Sequence, residues 1–463
     1  MASENMTREA QPGLTGSSND ERAAHRAKKA MVGAWFGFFV DLFDIYLPIV
    51  VLAPAISYFV SQDLGTAGIA IVSSAIFAAT LLGRPIGAAV FGRLADTVGR
   101  RRTTIVAMTG AGAATLVVAV LPGYQQLGVL SVVLFVAMRF IGGIFLGGEY
   151  TGANPLAMEA APRHKRGLYS GLINTGFPLA YAAVSLITLV LLYVLPSGGL
   201  DSAYVQWGWR IPFVIGALLT FGGAVFFWRS VHESETFSRT QRRSGDSRSP
   251  LRQLLTGSNA KSFVQVFILM SGFWLSLQPV AASLPMLLGG KGVGLSSRTT
   301  TLILVVAYLV LAAADVLAAV LSQRIGRRRF LIGASTAMAT VAALVYFALV
   351  RFGHGNTTWA AIATVLLVVI VVGPWGVLPA YLNERFPTSV RASGYGLAYS
   401  LSVVAPSFYG FYQAGLSRFM PFAYTGIVLL VIGALLVLIG AHSGPETKDI
   451  DFADEIATAE PPR

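Results

Sequence analysis

GRLADTVGRRR, residues 92–102, is a polar and basic island between two long apolar runs. It has an echo in AVLSQRIGRRR, residues 319–329, which begins 227 positions further on. A second pattern follows each of them: Glu159-x-x-Pro162-x-x-x-Arg166 and, 225 positions later, Glu384-x-x-Pro387-x-x-x-Arg391. Two separate patterns that recur at nearly one offset divide the chain into two halves built alike. Between them lies the longest polar interruption, 229–261, which is basic, Ser-rich and contains proline, as a linker does.

Composition says what the halves are made of. The chain has 463 residues, is 54% hydrophobic and 12% charged, and has a mean hydropathy of +0.65. A soluble protein carries about a quarter charged residues. Runs of about 20 apolar residues, the length of one bilayer crossing, recur throughout. They place spans at 31–58, 67–92, 103–121, 127–157, 167–194, 209–228, 262–288, 299–321, 330–350, 359–382, 392–413 and 420–441. This is an all-α polytopic membrane protein: twelve transmembrane helices in two six-helix bundles, 31–228 and 262–441. The short alternating segments of a β-barrel are absent.

The net charge of +12 belongs to the loops and predicts no nucleic acid partner. Of 34 Lys and Arg, 27 fall on the side of the two tails (1–30 and 442–463) and the linker, 4 on the other, and 3 within spans. That asymmetry predicts both termini in the cytosol and a cell (inner) membrane location. No cleavable signal precedes the first span. The chain has no cysteine, and its five histidines lack ligand spacing, so neither thiolate metal sites nor a metal enzyme is expected.

The first span contains FFVDLFDIYLPIV, residues 38–50, with two aspartates in an apolar run. Asp41 lies ten residues past Met31, roughly 15 Å along a helix and so near the midplane of a ~30 Å core. Asp41 and Asp44, at i and i+3, share one face. Two carboxylates so close in a low dielectric do not both ionise easily, and intramembrane acids mark ion pathways. Their candidate partners are Arg84 in span 2 and Arg139 in span 4. Arg139 either holds a carboxylate substrate in its planar fork or pairs with one of the aspartates. Glu149 in span 4 joins this set as a relay or charge-network group, and Asp315 is the acid inside a span of the second half.

GRLADTVGRRR resembles the signature loop of the major facilitator superfamily, and the repeat in the second half strengthens the match. LLGRPIGAAVFGRLAD, GGEYTGA (147–153), GWRIPF (208–213) and NERFPTSVRASGYGLAYSL are similar to the metabolite:proton symporter family within it. Members of that family carry a Glu-Trp-x-Asp-Phe type pair where this chain has Asp41 and Asp44, and Gln323 stands in the second loop where Asp96 stands in the first. The resemblance implies parallel six-helix repeats with alternating access to a site between them. It further implies a secondary transporter, not an enzyme, that imports a small metabolite, an organic anion above all, by proton symport. The proton is then the coupling ion, with no cofactor, and the partners are the substrate and the bilayer around a monomer.

By the same resemblance Gly92, Asp96, Gly99, Arg100 and Arg101 form a gating loop that docks at the start of span 11. Glu159 with Arg166, and Glu384 with Arg391, are its companion salt bridges, and Arg84 serves the same network. Arg139, Asn174, Trp274, Gln278, Trp375 and Tyr399, with Tyr395 beside the last, are the candidate substrate contacts, the amides because they need hydrogen-bond partners at that depth. Alternatives are a sugar, betaine or amino-acid carrier, a drug:proton antiporter, or a membrane sensor without transport. NTGFPLAYAAVSL in span 5 lacks the glycine motif of the antiporters.

Overall fold

A computed structural model of the chain describes residues 14–61, 63–98, 100–147, 153–230, 254–289, 292–387, 390–450 and 452. Among these residues there is no strand, and eleven helices are long and apolar enough to cross a bilayer. We label them α1 (Ala27–Val50), α2 (Thr66–Phe91), α3 (Arg102–Ala119), α4 (Val129–Leu146), α5 (Arg163–Val194), α6 (Tyr204–Val225), α7 (Gly257–Leu288), α8 (Ser297–Ile325), α9 (Arg327–Phe352), α10 (Thr357–Glu384) and α12 (Phe422–Ser443). They are apolar all round, because one side packs in the bundle and the other meets lipid. Leu317, Leu344 and Val194, for example, are 69–72% exposed.

The expected span 392–413 departs from a single helix. It forms two pieces, Arg391–Ser402 and Tyr409–Leu416, together called α11. A tight turn at Pro406–Phe408 separates them. Pro406 lacks the N–H that would continue the ladder, so neither piece reaches bilayer length by itself. The first helix also begins earlier than the polar tail suggests, at Leu14, and runs unbroken into α1.

Two of the irregular turns inside long spans contain proline. In α7 a wide, π-type turn at Gln278–Ala282 contains Pro279, and in α10 a tight turn at Gly373–Val377 contains Pro374. Each proline removes a backbone donor and forces the local change of pitch.

Glycine lets helix backbones touch, and this sets where the charged residues go. A Cβ on Gly87 would sit 1.8 Å from the Ile144 carbonyl oxygen, and one on Gly143 would sit 2.0 Å from that of Thr80. Both Gly83/Gly87 and Gly143/Gly147 follow the small-xxx-small spacing that permits such crossings in membranes. Thus α2 and α4 interlock within the first half, with Arg84 and Arg139 beside the crossing. In the second half, Gly272 and Gly433 do the same for α7 and α12. Between the halves, α5 lies against α8, and Gly410 of α11 lies so close to α2 that its Cβ would be 2.2 Å from the Ala70 carbonyl oxygen.

Candidate functional site

The two aspartates of α1 are each 3% exposed and each faces its own arginine. Arg84 donates to Asp41 Oδ1. Arg139 Nη1 lies 2.9 Å from Asp44 Oδ2. Its Nη2 donates to the Asp44 carbonyl and its Nε to Thr80 Oγ1, both at 2.9 Å. Thr115 completes the set by donating to Asp44 Oδ1 at 2.6 Å. Of the two roles open to Arg139, the structure displays the internal pair. The aspartates are not equivalent: both Asp44 oxygens are engaged, whereas Asp41 Oδ2 is buried without a hydrogen-bond partner.

Across the interface, the second half contributes aromatics and the amide of Gln278. Trp274 and Trp375 meet edge to face at 4.9 Å, and Trp274 meets Tyr399 in the same way at 5.2 Å. Two buried donors of this cluster lack an acceptor, the indole N–H of Trp274 and that of Trp375, and so does Nε2 of Gln278, four residues further along α7. Tyr395 stacks on Tyr399 and accepts from Asn154 at 2.8 Å. Asn174 lies elsewhere, donating to Asp315 Oδ2 at 2.8 Å. The six expected substrate contacts are therefore not brought to one place in this conformation, and none of them lines either cavity between the halves.

Those cavities lie toward the end with few basic residues. One, of about 70 Å³, is lined by Pro48, Ser73, Ser283 and Tyr409 among others. The second, of about 210 Å³, is lined by Thr66, Ser297 and Thr300. The seam below them is aromatic and was not singled out from the sequence. Tyr181 stacks on Tyr308 at 3.7 Å and donates to the Ala281 carbonyl, and Tyr46 meets Tyr181 at 5.0 Å. Rings scattered over α1, α5 and α8 carry no local pattern that would join them.

The opposite, Arg-rich end is sealed. Arg391 Nη1 lies 2.7 Å from Glu159 Oε1, Gly167 N–H donates to Gln323 at 3.1 Å, and Ser170 donates to the Gly376 carbonyl at 2.6 Å. The first contact corrects the expected pairing. Glu384 is buried against Arg327 Nε at 3.4 Å, not against Arg391. Glu384 ends its helix against Arg327 of its own bundle, while Arg391 opens the next helix and reaches Glu159 of the other half. Arg166 donates to the Ile450 carbonyl at 2.7 Å.

Ile450 belongs to the C-terminal segment expected as a cytosolic tail. Glu446 accepts from the backbone N–H of Arg327 and Arg328, at 2.7 and 3.2 Å. Thr447 donates to Glu384 at 2.7 Å. The Phe452 ring lies between two guanidiniums, 3.6 Å from Arg166 and 3.8 Å from Arg391, one from each half. A lone aromatic in the acidic stretch DIDFADE was the available signal. Gly99 and Glu149 fall outside the described residues, and of Gly92, Asp96, Arg100 and Arg101 only the backbone is described.

Comparison with known proteins agrees with this architecture. The sequence profile of the Major Facilitator Superfamily matches residues 34–410. An inner membrane metabolite transport protein of Escherichia coli K12 is 30% identical over 422 residues, which covers 89% of this chain and 92% of that protein. The shikimate transporter of the same organism is 28% identical over 433 residues, covering 89% and 93%. Among solved structures, the partially occluded inward-open form of the Escherichia coli xylose transporter superposes with a TM-score of 0.70. It is 18% identical and covers 92% of this chain and 100% of its own. Multi-pass helices, two repeated halves and the profile match lead to one conclusion: the chain belongs to the major facilitator superfamily of membrane transporters and is not an enzyme.

Proposed function

We propose that the chain is a secondary active transporter that takes up a small organic anion with a proton, by alternating access between its halves. The observation that carries this reading is the asymmetry of the two buried ion pairs. Asp44 is saturated by Arg139 and Thr115, while Asp41 has one arginine and one oxygen left over. A proton on Asp41 cancels its charge against Arg84, and an anion then compensates the guanidinium. Proton and anion thus enter together and leave together. With one proton per monoanion the cycle is electroneutral and draws on the pH gradient alone; any net charge carried would add about 2.3 kcal/mol per 100 mV.

The substrate class rests on the unmet donors of Trp274, Trp375 and Gln278, since a carboxylate supplies acceptors and no donors. A relative named as a shikimate transporter, itself named for a carboxylic acid, supports the same class. A second reading, a betaine or other zwitterion, is favoured by the Trp274–Trp375–Tyr399 group, because aromatic faces attract quaternary ammonium. The basic end is assigned to the cytosol by its excess of Lys and Arg, in an inner or plasma membrane.

Proteoliposome uptake under an imposed pH gradient tests this. Carboxylates should accumulate with an acidic exterior and lose accumulation when the gradient is collapsed. Accumulation that survives collapse of both gradient and potential would remove proton symport. Preference for betaine over carboxylates would favour the second reading.

A further inference from the structure

Asp315 stands apart from the other membrane carboxylates. Asp41, Asp44 and Glu384 each face an arginine, whereas among the described residues the only side chain bonded to Asp315 is the amide of Asn174. Asp315 is 0% exposed, and its Oδ1 has no hydrogen-bond partner. Asn174 is on α5 and Asp315 on α8, so their bond crosses from one half to the other.

Backbones close around it. A Cβ on Gly171 of α5 would lie 2.8 Å from Val316 Cα and 3.1 Å from the Asp315 carbonyl oxygen. One on Gly376 of α10 would lie 2.2 Å from that same oxygen. These two helices present Asn174, Gly171 and Gly376 to it, and among the described residues no ion pair joins it to a cation. An ionised carboxylate here has one amide donor to set against the loss of all its water. A neutral carboxyl with one unmet O–H is far less costly.

We infer that Asp315 is a second proton-binding site, one that fills when the halves close and empties when they part at the Arg-rich end. While α5 and α8 touch, the carboxyl is neutral. When they separate, water reaches it and it ionises as an ordinary carboxylate does. Closing this end therefore takes up one proton. The closed state is favoured at low pH, and the closed-to-open ratio falls up to tenfold for each pH unit of increase. The inference rests on the alternating-access part of the proposed function and is independent of whether transport is proton-coupled at Asp41.

The absence of cysteine makes the test direct. His164 and Arg324 are exposed at the Arg-rich end, one on each half. Spin labels on a His164→Cys/Arg324→Cys chain in liposomes report their separation between about pH 5 and about pH 8. The long-distance population should grow as pH rises. Asp315→Asn, which stays neutral and keeps an amide partner, should hold the short distance throughout. Asn174→Asp places a second carboxyl in the contact and should open the closed state at a lower pH than in the parent. Adding Asp315→Asn to an Asp41→Asn chain should remove the pH response that Asp41→Asn leaves, which separates this site from the coupling site. A parent-like pH response in Asp315→Asn, or no change in Asn174→Asp, overturns the inference. Labels that never part at any pH, with or without substrate, overturn it together with alternating access.

Discussion

Arg391 of the second half and Glu159 of the first approach to 2.7 Å, joining the halves at their Arg-rich end. Both come from the repeated Glu-x-x-Pro-x-x-x-Arg pattern, but from different copies. The second copy's glutamate turns inward to Arg327 instead. Sequence symmetry is thus used asymmetrically, with one inter-half bond and one bond within a bundle.

Glu159→Gln should weaken closure at that end. Arg391 keeps the Asn383 and Phe386 carbonyls, each at 3.1 Å, so its own half stays intact. The Glu159 side chain is 37% exposed, which limits the effect to about 1 kcal/mol, roughly fivefold in the open-to-closed ratio. Spin-label distances at His164→Cys/Arg324→Cys measure it, and an unchanged distribution would remove Glu159 from the latch.

The span 1 acids should fail in different ways. Asp44→Asn leaves the buried Arg139 without its counter-charge, a loss of about 3–5 kcal/mol, visible as a lowered melting temperature in detergent. Asp44→Asn with Arg139→Gln should recover much of that stability. Asp41→Asn should abolish uphill uptake while sparing substrate exchange. Full uphill uptake by Asp41→Asn would move the coupling site elsewhere.

Phe452→Ala removes the ring that both Arg166 and Arg391 face, at 3.6 and 3.8 Å. A cation–π contact is worth about 0.5–2 kcal/mol, and here one ring serves two. Faster thiol labelling of a cysteine introduced in the Asn174 contact region, with unchanged expression, is the expected result. Labelling at the parent's rate would show that the tail segment does not hold the halves.

Gly143→Val should be severe, because the nearest neighbour of Gly143 across the crossing is the Thr80 backbone. The new Cβ would lie 2.0 Å from the Thr80 carbonyl oxygen, which forces α2 and α4 apart and moves Thr80, Arg84 and Arg139 with them. Loss of folded protein by size-exclusion chromatography, or of uptake in what does fold, is expected. Normal uptake would mean that this crossing is not what positions the arginines.

Much of the architecture was legible because it depends on local chemistry. Apolar length reports bilayer crossings, loop charge reports sidedness, and repeated loops report two halves. The midplane depth of Asp41 and Asp44, and the nearby arginines, followed from counting along helices. Pro406 dividing α11 was within reach of the same reasoning, since the proline stands in plain view.

Pairing was different. Which arginine meets which acid depends on helix rotation and crossing, set by glycine contacts between residues some 60 positions apart, as Gly143 and Thr80 are. The same holds for Asn174 and Asp315, 141 residues apart, and for Phe452 between Arg166 and Arg391. The sequence by itself determined a two-half membrane carrier with buried charge in its first helix. Only the tertiary structure decided that Asp44 is saturated, that Asp41 is not, and that Asp315 meets the Asn174 amide, because charge compensation in a dry interior belongs to neighbours in space.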